Sequence, residues 1–418
     1  MKILYISQYF PPEIAAPAAR VSELSRHWAR DGHDVAVLTG FPNHPTGIVP
    51  PAYRAKLRRL VIRELMDGVC VVRTWLWPRP NRGALGRMIS FVSFAVSAAI
   101  SGLFLARPDI VIATSPQLLV GLSGWWLARA KRVPFVLEVR DLWPESLAAV
   151  GMGREGSTLH RMLALLAGFL YRESDHIVVV TPAFKEELIE RWKVPAAKIS
   201  IVQNGVESDL FRPSPPSADL RRELNAEGKF MVCYIGTMGM AHGLDTILQA
   251  AAQLRESAFH VLFVLVGEGA EKQRIADQAK FLGLSNVCIL DQQPRERIPA
   301  YICTSDACLV LLRNTPLFKT VIPTKMLEFM SCGRPIILGV DGQARKIMEE
   351  ANAGIFVVPE NASALAQAIL HLAGDEKLRT SLGNNGRRHI LAHFSRQRTA
   401  EEYLELLSGL VRGESPRY

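Results

Sequence analysis

The chain has 418 residues, of which 49% are hydrophobic and 21% charged, and its formal net charge is +9. This length is too great for one ordinary core and predicts two domains of about 200 residues each, while the composition excludes a disordered chain. The positive excess lies entirely in residues 1–205, because residues 206–418 contain as many acidic as basic side chains.

The predicted elements repeat in the order strand, loop, helix. Apolar runs predict buried parallel strands at KILYIS, DVAVLTG, VCVVRTWL, DIVIATS, FVLEVR and HIVVVT. The series then starts again with KISIVQNG, FMVCYIG, HVLFVLVG, VCILD, ACLVLL, RPIILGV and GIFVVP. Two such series predict an α/β protein with two Rossmann-like domains. We predict an N-terminal domain over 1–205, a linker over 206–216, a second domain over 217–385 and a C-terminal helical region over 386–418.

A basic stretch is followed directly by an apolar one in the N-terminal half. The basic residues are Arg54, Lys56, Arg58, Arg59, Arg63, Arg73, Arg79, Arg82 and Arg87. The apolar segment 88–105 contains no charge and is at the lower length limit for a membrane span. Serines at helical spacing favour a buried crossover helix instead, and a helix lying in one leaflet is a third interpretation. We expect residues 54–107 to contact a membrane surface, with an ordinary solvated basic face as the alternative.

Two further features indicate where the protein works. The six cysteines form no CxxC pair, and they have no metal-ligand spacing with the ten histidines, so free thiols in a reducing compartment are predicted. The first residues, MKILYISQYF, show no signal-peptide pattern. We therefore expect a cytoplasmic location.

Two loops that follow predicted strands carry candidate binding residues, because ligands of parallel α/β domains bind at the carboxyl ends of the strands. TMGMAHGLDTIL leads three glycines into a helix, where backbone N–H groups can approach a phosphate. IPTKMLEFMSCGRPII places Lys325 and Glu328 on one side of a second helix. A cation at a helix start suits a diphosphate, and a carboxylate one turn later suits ribose hydroxyls. An ordinary surface ion pair is the alternative.

In this order the motifs resemble the family 4 glycosyltransferases, retaining enzymes with the GT-B fold. The resemblance covers nearly the whole chain, through MKILYISQYFPPE, GHDVAVLTGFPNHPTG, EVRDLWPES, VTPAFKEEL, IVQNGVESDLF, YIGTMGMAHGLDTIL, LVGEGAEK and IPTKMLEFMSCGRPII. SQYFPPE, FPNHPTG and DLWPES resemble a bacterial subgroup that builds O-antigen, capsule or exopolysaccharide. The resemblance implies two parallel sheets facing a deep cleft and a C-terminal helix that returns to the N-terminal domain.

The resemblance also implies roles for individual residues. Glu328 stands at the second of two glutamates in the family motif and is expected to bind the ribose, whereas Thr320 replaces the first. Lys325 is the expected diphosphate contact. Further donor contacts are expected from Arg20, Gly236, Thr237, Met238 and His242. In the first domain, the catalytic candidates are Arg140, Asp141 and Glu145, and Glu13 is a candidate on the acceptor side.

The implied function is a retaining hexosyltransferase of O-antigen, lipopolysaccharide, capsule or exopolysaccharide synthesis. It would move an N-acetylated hexosamine or deoxyhexosamine from a UDP-sugar to a lipid-linked saccharide, as a peripheral protein on the inner face of the cytoplasmic membrane. Because no D-x-D motif is present, we expect no metal and no cofactor. A sugar-nucleotide epimerase of similar fold and a non-catalytic relative are the alternatives. Nucleic acid is not an expected partner, because the basic stretch lacks interleaved aromatic residues.

Overall fold

The computed structural model describes residues 1–13, 16–44, 46–79, 84–115, 117–145, 156–258 and 260–414, with only the backbone of residues 84, 85, 87, 256 and 257. The chain divides into two compact units. Unit 1 contains Met1–Asn204 together with Arg396–Tyr418, and unit 2 contains Gly205–Ser395. Each unit is built on its own sheet of mainly parallel strands.

Unit 1 has an eight-stranded sheet in the order β3-β4-β2-β1-β5-β6-β7-β8. Only the edge strand β3 is antiparallel to its neighbour. The strands are β1 Lys2–Ile6, β2 Asp34–Gly40, β3 Val61–Met66, β4 Val69–Thr74, β5 Ile110–Thr114, β6 Phe135–Val139, β7 His176–Val179 and β8 Ile199–Ile201. The helices are α1 Ala16–Arg30, α2 Pro51–Arg54, α3 Ala84–Leu103, α4 Leu119–Lys131, α5 Thr158–Glu173, α6 Pro182–Glu190 and α15 Arg396–Val411.

Helices cover both faces of this sheet, which is why most residues of its central strands are apolar. On one face, the Trp28 ring of α1 lies between Tyr5 of β1 and Tyr403 of α15. The Trp28 indole N–H also donates to the Ala400 carbonyl over 2.9 Å. The C-terminal helix therefore belongs to the core of unit 1, as the family resemblance implied. On the other face, Gly124 of α4 packs against Ala113 and Phe135.

Unit 2 has a six-stranded, fully parallel sheet in the order β11-β10-β9-β12-β13-β14. The strands are β9 Phe230–Ile235, β10 Val261–Val266, β11 Val287–Leu290, β12 Ala307–Leu311, β13 Ile336–Gly339 and β14 Gly354–Phe356. The helices are α7 Ala218–Glu223, α8 Asp245–Ser257, α9 Lys272–Phe281, α10 Ile298–Thr304, α11 Thr324–Ser331, α12 Gln343–Ala351, α13 Ala362–Gly374 and α14 Glu376–His393. The strand order reverses beside β9, so the loops after β9 and β12 lie at the position where such folds bind ligands.

The boundaries of unit 2 differ from those that the sequence predicted. The segment 206–216 is part of this unit, because the Arg387 guanidinium donates to the carbonyls of Ser208 and Phe211. Residues 386–395 also belong to unit 2, because α14 runs unbroken to His393. A helical pattern that continues through residue 385 gives no sign of where the chain changes units.

The two stretches that suggested a membrane contact have separate places in unit 1. Segment 88–105 is mostly α3, and the Ser101 hydroxyl of this crossover helix lies 2.8 Å from the Thr74 hydroxyl on β4. Across the helices that the structure describes, none is both long and apolar enough to cross a membrane. In the basic stretch Arg73 is buried, and its Nε donates to Glu64 over 2.9 Å, so it is not a surface charge. Arg82 and the side chain of Arg87 lie outside the described residues.

Candidate functional site

The loop after β9 forms a tight turn under the side chain of Lys325. Gly236 has φ 139°, and a Cβ at this position would lie 2.7 Å from Lys325 Nζ. A side chain at residue 236 would therefore displace the lysine. The Tyr234 hydroxyl donates to the Thr237 carbonyl over 2.7 Å, and this hydrogen bond holds the loop against the end of β9. The glycine is required both for the backbone conformation and for the space that Lys325 occupies.

Lys325 is a buried cation at the beginning of α11. Its Nζ lies 4.0 Å from the centre of the Tyr234 ring and has no hydrogen-bond partner among the residues that the structure describes. Burial lowers the pKa of Lys325 to about 7, although the carboxylate of Glu328 acts in the opposite direction. The N-terminus of α11 also has no capping side chain. A buried ammonium beside an uncapped helix start is suited to an anionic ligand such as a diphosphate.

Glu328 lies one helical turn after Lys325 and is mostly buried. Its Oε1 accepts a hydrogen bond from Arg295 Nη1 over 3.1 Å, and the Arg295 guanidinium also stacks 5.0 Å from the centre of the Phe211 ring. A carboxylate can accept about four hydrogen bonds, so this contact is compatible with additional donors such as ribose hydroxyls. Arg295 was not predicted from the sequence. Its location in QQPRERI, directly after a predicted strand, was the available signal.

The backbone donors of the β9 loop differ from those expected. Gly236 N–H donates to the Val266 carbonyl over 2.9 Å, and Met238 N–H donates to the Glu268 carbonyl over 2.8 Å. These two groups are therefore used within the fold, and the Met238 side chain is in the core. Thr237 N–H is the one of the three for which the described residues provide no acceptor. The expectation of three backbone donors is corrected to one.

His242 does not supply a charge to this site. Burial, with a smaller contribution from the Lys325 charge, lowers the pKa of His242 to about 3, so the ring is neutral at physiological pH. Its Nδ1 lies 3.4 Å from the Leu311 carbonyl, which can only accept a hydrogen bond. Nδ1 therefore carries the proton and Nε2 is an acceptor. Such a ring can bind a hydroxyl group but does not replace a cationic diphosphate contact.

Thr320, at the position of the missing glutamate, contacts its own turn. Its hydroxyl donates to the Leu317 carbonyl over 2.7 Å. This internal bond closes the short helix that precedes α11. The residue thus contributes to local geometry, and nothing in its side chain replaces a carboxylate.

In unit 1, Arg20 is not available to bind the nucleotide-sugar donor, contrary to the expectation. Its side chain is 1% exposed and lies 2.8 Å from Glu138 Oε1, on a carboxylate that is itself fully buried. The same guanidinium donates to the carbonyls of Val202 and Gln203 and to the Asn204 side chain. Arg20 therefore joins α1, β6 and the end of the sheet as a structural residue.

Arg140 and Asp141 follow β6, and Ser115 fixes their backbone. The Ser115 hydroxyl accepts both amide N–H groups, at 2.6 and 3.2 Å. Asp141 lines a small recess together with the polar residues Ser115, Gln117 and Glu138. The rest of its lining is Leu118, Gly121, Leu137, Val139, Trp143 and Tyr171. Burial raises the pKa of Asp141 to about 6, against the opposing charge of Arg140. A carboxyl group with a raised pKa at a strand end can hydrogen-bond a saccharide hydroxyl.

Glu145 and Glu13 are both engaged by the protein. Glu145 Oε1 lies 2.8 Å from Arg191 Nη2, and burial raises the pKa of Glu145. Glu13 Oε1 accepts the backbone N–H groups of Asn43 and His44, each over 2.9 Å. Burial raises the pKa of Glu13 to about 7, although these hydrogen bonds oppose the shift. Glu13 connects the loops after β1 and β2, which is a structural function and differs from the expected contact with an acceptor.

Acidic, histidine and cysteine side chains do not form a metal-binding group of three or more within the described ranges. All six cysteines are free, and four of them, Cys233, Cys303, Cys308 and Cys332, are buried. The candidate residues thus form one cluster in each unit. Unit 2 combines a buried cation, a carboxylate and a glycine turn, and unit 1 has a carboxyl group at a small recess.

Two protein-family models match the chain, one in each half. The family described as Glycosyl transferase 4-like domain matches residues 16–205, and the family described as Glycosyl transferases group 1 matches residues 217–389. Between them they account for most of the chain. The chain belongs to the family 4 glycosyltransferases. These matches do not favour the epimerase alternative.

Two similar relatives of this glycosyltransferase are bacterial. WcaI of Escherichia coli K12, assigned to colanic acid biosynthesis as a glycosyl transferase, is 26% identical over 88% of this chain and 91% of its own length. WbjE of Pseudomonas aeruginosa, assigned as a glycosyltransferase, is 25% identical over 84% of this chain and 86% of its own length.

A solved structure supports the fold. Anabaena HepE in complex with UDP has a TM-score of 0.72 and 18% identity, covering 98% of this chain and 100% of that one. HepE has also been solved with UDP-glucose. At this identity the likeness shows the fold, which is GT-B.

Proposed function

We propose that this glycosyltransferase transfers a sugar from a UDP-sugar to a lipid-linked saccharide during synthesis of a bacterial surface polysaccharide. The UDP and UDP-glucose complexes of HepE support the nucleotide. The assignment of WcaI to colanic acid biosynthesis supports the pathway class, which includes O-antigen, capsule and exopolysaccharide. For the sugar we propose an N-acetylated hexosamine or deoxyhexosamine, on the resemblance of the motifs alone.

The observation that carries the donor proposal is the buried, hydrogen-bond-free ammonium of Lys325. A charged group that is buried without a hydrogen-bond partner costs free energy. The presence of Lys325 at the beginning of α11 is explained if a bound ligand supplies the missing partner. A diphosphate provides the matching charge, with Thr237 N–H and the start of α11 as further donors. Glu328, held by Arg295, then accepts hydrogen bonds from the ribose.

For the chemical step we propose a retaining transfer that needs no metal ion and no cofactor. The leaving diphosphate gains negative charge as the glycosidic bond breaks, and a pre-positioned ammonium and helix dipole stabilise that charge without reorganisation. The departing phosphate would accept the proton of the acceptor hydroxyl. Asp141, which follows β6 in unit 1, is proposed to bind a hydroxyl group of the acceptor saccharide.

For location we propose the inner face of the cytoplasmic membrane, where a lipid-linked acceptor is embedded. Arg58, Arg59 and Arg63 are exposed and provide positive charge for anionic headgroups. The contact of these three residues with the membrane is tested by neutralising all of them and measuring the membrane-bound fraction of the protein in cell lysates. The proposal expects a shift to the soluble fraction, and unchanged partitioning would contradict a role for these residues.

The transfer itself is tested by incubating the purified protein with a panel of nucleotide sugars and a bacterial membrane extract that contains lipid-linked saccharides. The proposal expects label to move from one UDP-sugar into the lipid fraction, and Lys325→Ala to reduce that transfer. Transfer from another nucleotide class, or equal labelling with the variant, contradicts the donor assignment. Conversion of one UDP-sugar into another without transfer would instead support the epimerase alternative.

A further inference from the structure

Helices α3, α4 and α5 form one continuous layer on a single face of the unit 1 sheet. A Cβ on Gly102 of α3 would lie only 2.4 Å from Leu127 of α4, so these two helices are in close contact. The Ser123 hydroxyl of α4 also donates to the Ala95 carbonyl of α3 over 2.7 Å. Trp125 of α4 packs edge-on against Phe169 of α5, with ring centres 5.1 Å apart.

The outer surface of this layer is apolar. We call it the α3–α5 surface, and its exposed residues are Val92, Val96, Ile100, Leu103, Phe104, Trp126, Leu159, Met162 and Leu165. Phe104 is 80% exposed and Leu165 is 76% exposed. The α3 members recur at intervals of three or four residues and so lie along one side of the helix. A concentration of large exposed apolar side chains on three neighbouring helices is typical of an interaction site.

The charges of the same three helices and their ends are almost all positive. Glu173 is the single acidic residue within 84–107, 119–132 and 157–173, and it lies 3.4 Å from Arg129. The basic residues of these segments are Arg87, Arg107, Arg129, Lys131, Arg132, Arg161 and Arg172. Lys131 Nζ donates to the Leu103 and Leu105 carbonyls, which places a positive charge at the end of the apolar α3 side.

We propose that the α3–α5 surface docks on a membrane that contains anionic phospholipid, with the three helices lying in the plane of the interface. An amphipathic helix with an apolar side and basic ends binds such a surface through both contributions. The exposed side of α3 from Val92 to Leu103 is about 17 Å long at the helical rise of 1.5 Å per residue, and it would lie along the bilayer surface with Phe104 just beyond its end. The inference rests on the proposed function only in that a lipid-linked acceptor gives the docking a purpose.

Charge decides between a membrane and a second copy of the chain as the occupant. In a two-fold symmetric dimer the same patch meets itself, so the basic residues around the surface would face identical basic residues. Such an arrangement is repulsive, whereas anionic headgroups neutralise it. This surface also differs from the one that the sequence indicated, because α4 and α5 add to it and the basic residues around the edge strand β3 are not part of it.

The test is sedimentation of the purified full chain with vesicles, comparing phosphatidylcholine alone with phosphatidylcholine mixed with phosphatidylglycerol. We expect binding to the mixed vesicles that weakens as salt is added. The double variant Ile100→Glu, Phe104→Glu should bind at least about tenfold more weakly. Phe281→Glu is the matched control, since Phe281 is 89% exposed on unit 2, and it should bind like the unmodified protein.

A second variant tests the charge separately. Arg132→Gln together with Arg161→Gln leaves every apolar residue in place and should weaken binding about fivefold per charge. Equal binding to neutral and anionic vesicles, or equal loss with Phe281→Glu, overturns the proposal. So does a dimer, detected by sedimentation velocity, that the Ile100→Glu, Phe104→Glu variant dissociates while vesicle binding is absent.

Two controls separate this surface from the proposed reaction. Each variant is checked for an unchanged melting temperature and unchanged UDP affinity by calorimetry, so that loss of binding does not reflect unfolding. Sugar transfer without vesicle binding overturns the docking surface and leaves the transferase proposal standing. Vesicle binding without any transfer supports the surface and contradicts the proposed reaction.

Discussion

Charged residues gather at the strand ends of both units, yet they have opposite surroundings. In unit 1, Arg20 and Glu138 neutralise each other, and Glu13 is held by backbone N–H groups of the β2 loop. In unit 2, the ammonium group of Lys325 is also buried, but it has no hydrogen-bond partner within the described structure. A charge that the protein itself satisfies holds loops together, whereas a buried charge that it leaves unsatisfied is available to a ligand.

The difference predicts opposite effects when a charge is removed from each unit. Removing one member of a satisfied pair should damage the fold and spare nucleotide binding. Removing the Lys325 cation, which has no hydrogen-bond partner within the described structure, should weaken nucleotide binding and spare the fold. Five experiments test that distinction. All the tryptophans lie in unit 1, so tryptophan fluorescence reports the unfolding of this unit alone.

The largest expected effect is on the stability of unit 1. Glu138→Gln leaves the Arg20 charge buried without its anion and should lower the free energy of unfolding by about 3–5 kcal/mol. Urea denaturation followed by tryptophan fluorescence measures this change. Glu173→Gln in the same unit is the control, because the Arg129–Glu173 pair is partly exposed and should contribute less than about 1 kcal/mol. A loss below about 1 kcal/mol in Glu138→Gln would show that the buried pair is not what holds the strand ends.

The next effect concerns the unsatisfied cation. Lys325→Met should weaken UDP binding about thirtyfold, or about 2 kcal/mol, because a charged hydrogen bond to the diphosphate is lost. The variant should also be more stable than the unmodified protein below pH 7, since a buried charge is removed. Calorimetry and thermal unfolding followed by circular dichroism provide the two measurements. Lys319→Met is the control, because Lys319 is half-exposed and pairs with Asp341. Unchanged UDP affinity in Lys325→Met places the donor elsewhere.

Glu328→Ala should lower kcat/KM by about tenfold, which corresponds to about 1.4 kcal/mol of transition-state stabilisation. The physical reason is the loss of the acceptor for the ribose hydroxyls. Glu350→Ala, at an exposed position of α12, should leave the rate unchanged. If Arg295→Ala reproduces part of the loss of Glu328→Ala and the double variant adds nothing, Arg295 acts by positioning Glu328.

Asp141→Asn addresses the cluster of unit 1. It should reduce the transfer rate by about tenfold while UDP affinity stays unchanged, because the acceptor would lose a hydrogen-bonding carboxylate. Steady-state kinetics measures the transfer rate, and calorimetry measures the UDP affinity. A parallel loss of UDP binding and transfer assigns Asp141 to the structure instead. Glu145→Gln is a useful comparison, since the ion pair with Arg191 predicts an effect on stability rather than on rate.

The smallest expected effect is a pH dependence of UDP binding. The pKa of Lys325 is lowered to about 7, and a bound diphosphate should raise it, so binding takes up a proton above pH 7. Affinity should therefore fall about fivefold between pH 7 and pH 8 and should become flat in Lys325→Met. Calorimetry in buffers of different ionisation enthalpy reports the proton uptake directly.

The same pKa shift fixes the sign of the stability change. Between about pH 7 and pH 10.5 the unfolded chain binds more protons at this residue, so the contribution of Lys325 to stability becomes more favourable as pH rises. The advantage of Lys325→Met over the unmodified protein should shrink across this window. An advantage that grows with pH would contradict the assigned burial.

Much of the fold could be predicted because its signals are local. Apolar runs identified most of the strands, and the segment that carries Lys325 and Glu328 was correctly placed on a helix. Two strands of unit 1 were not predicted correctly: KISIVQNG was assigned to the second series but forms β8 of unit 1, and β3, which carries charged residues, was missed. The roles of Arg20 and Glu13 were not predictable, because their partners, Glu138 and the Asn43–His44 backbone, lie far away in the sequence. Arg295 was missed for the same reason: it meets Glu328 only when the segment after β11 packs beside α11.

The sequence by itself determined the two α/β units, the family and the residues that are chemically able to bind a diphosphate and a ribose. Composition, periodicity and motif order are properties of the sequence that can be recognised without knowledge of the fold. Only the tertiary structure decided which charges are neutralised within the protein and which remain for a ligand. Neutralisation depends on burial and on distances between residues that are remote in the chain, as Arg20 and Lys325 show.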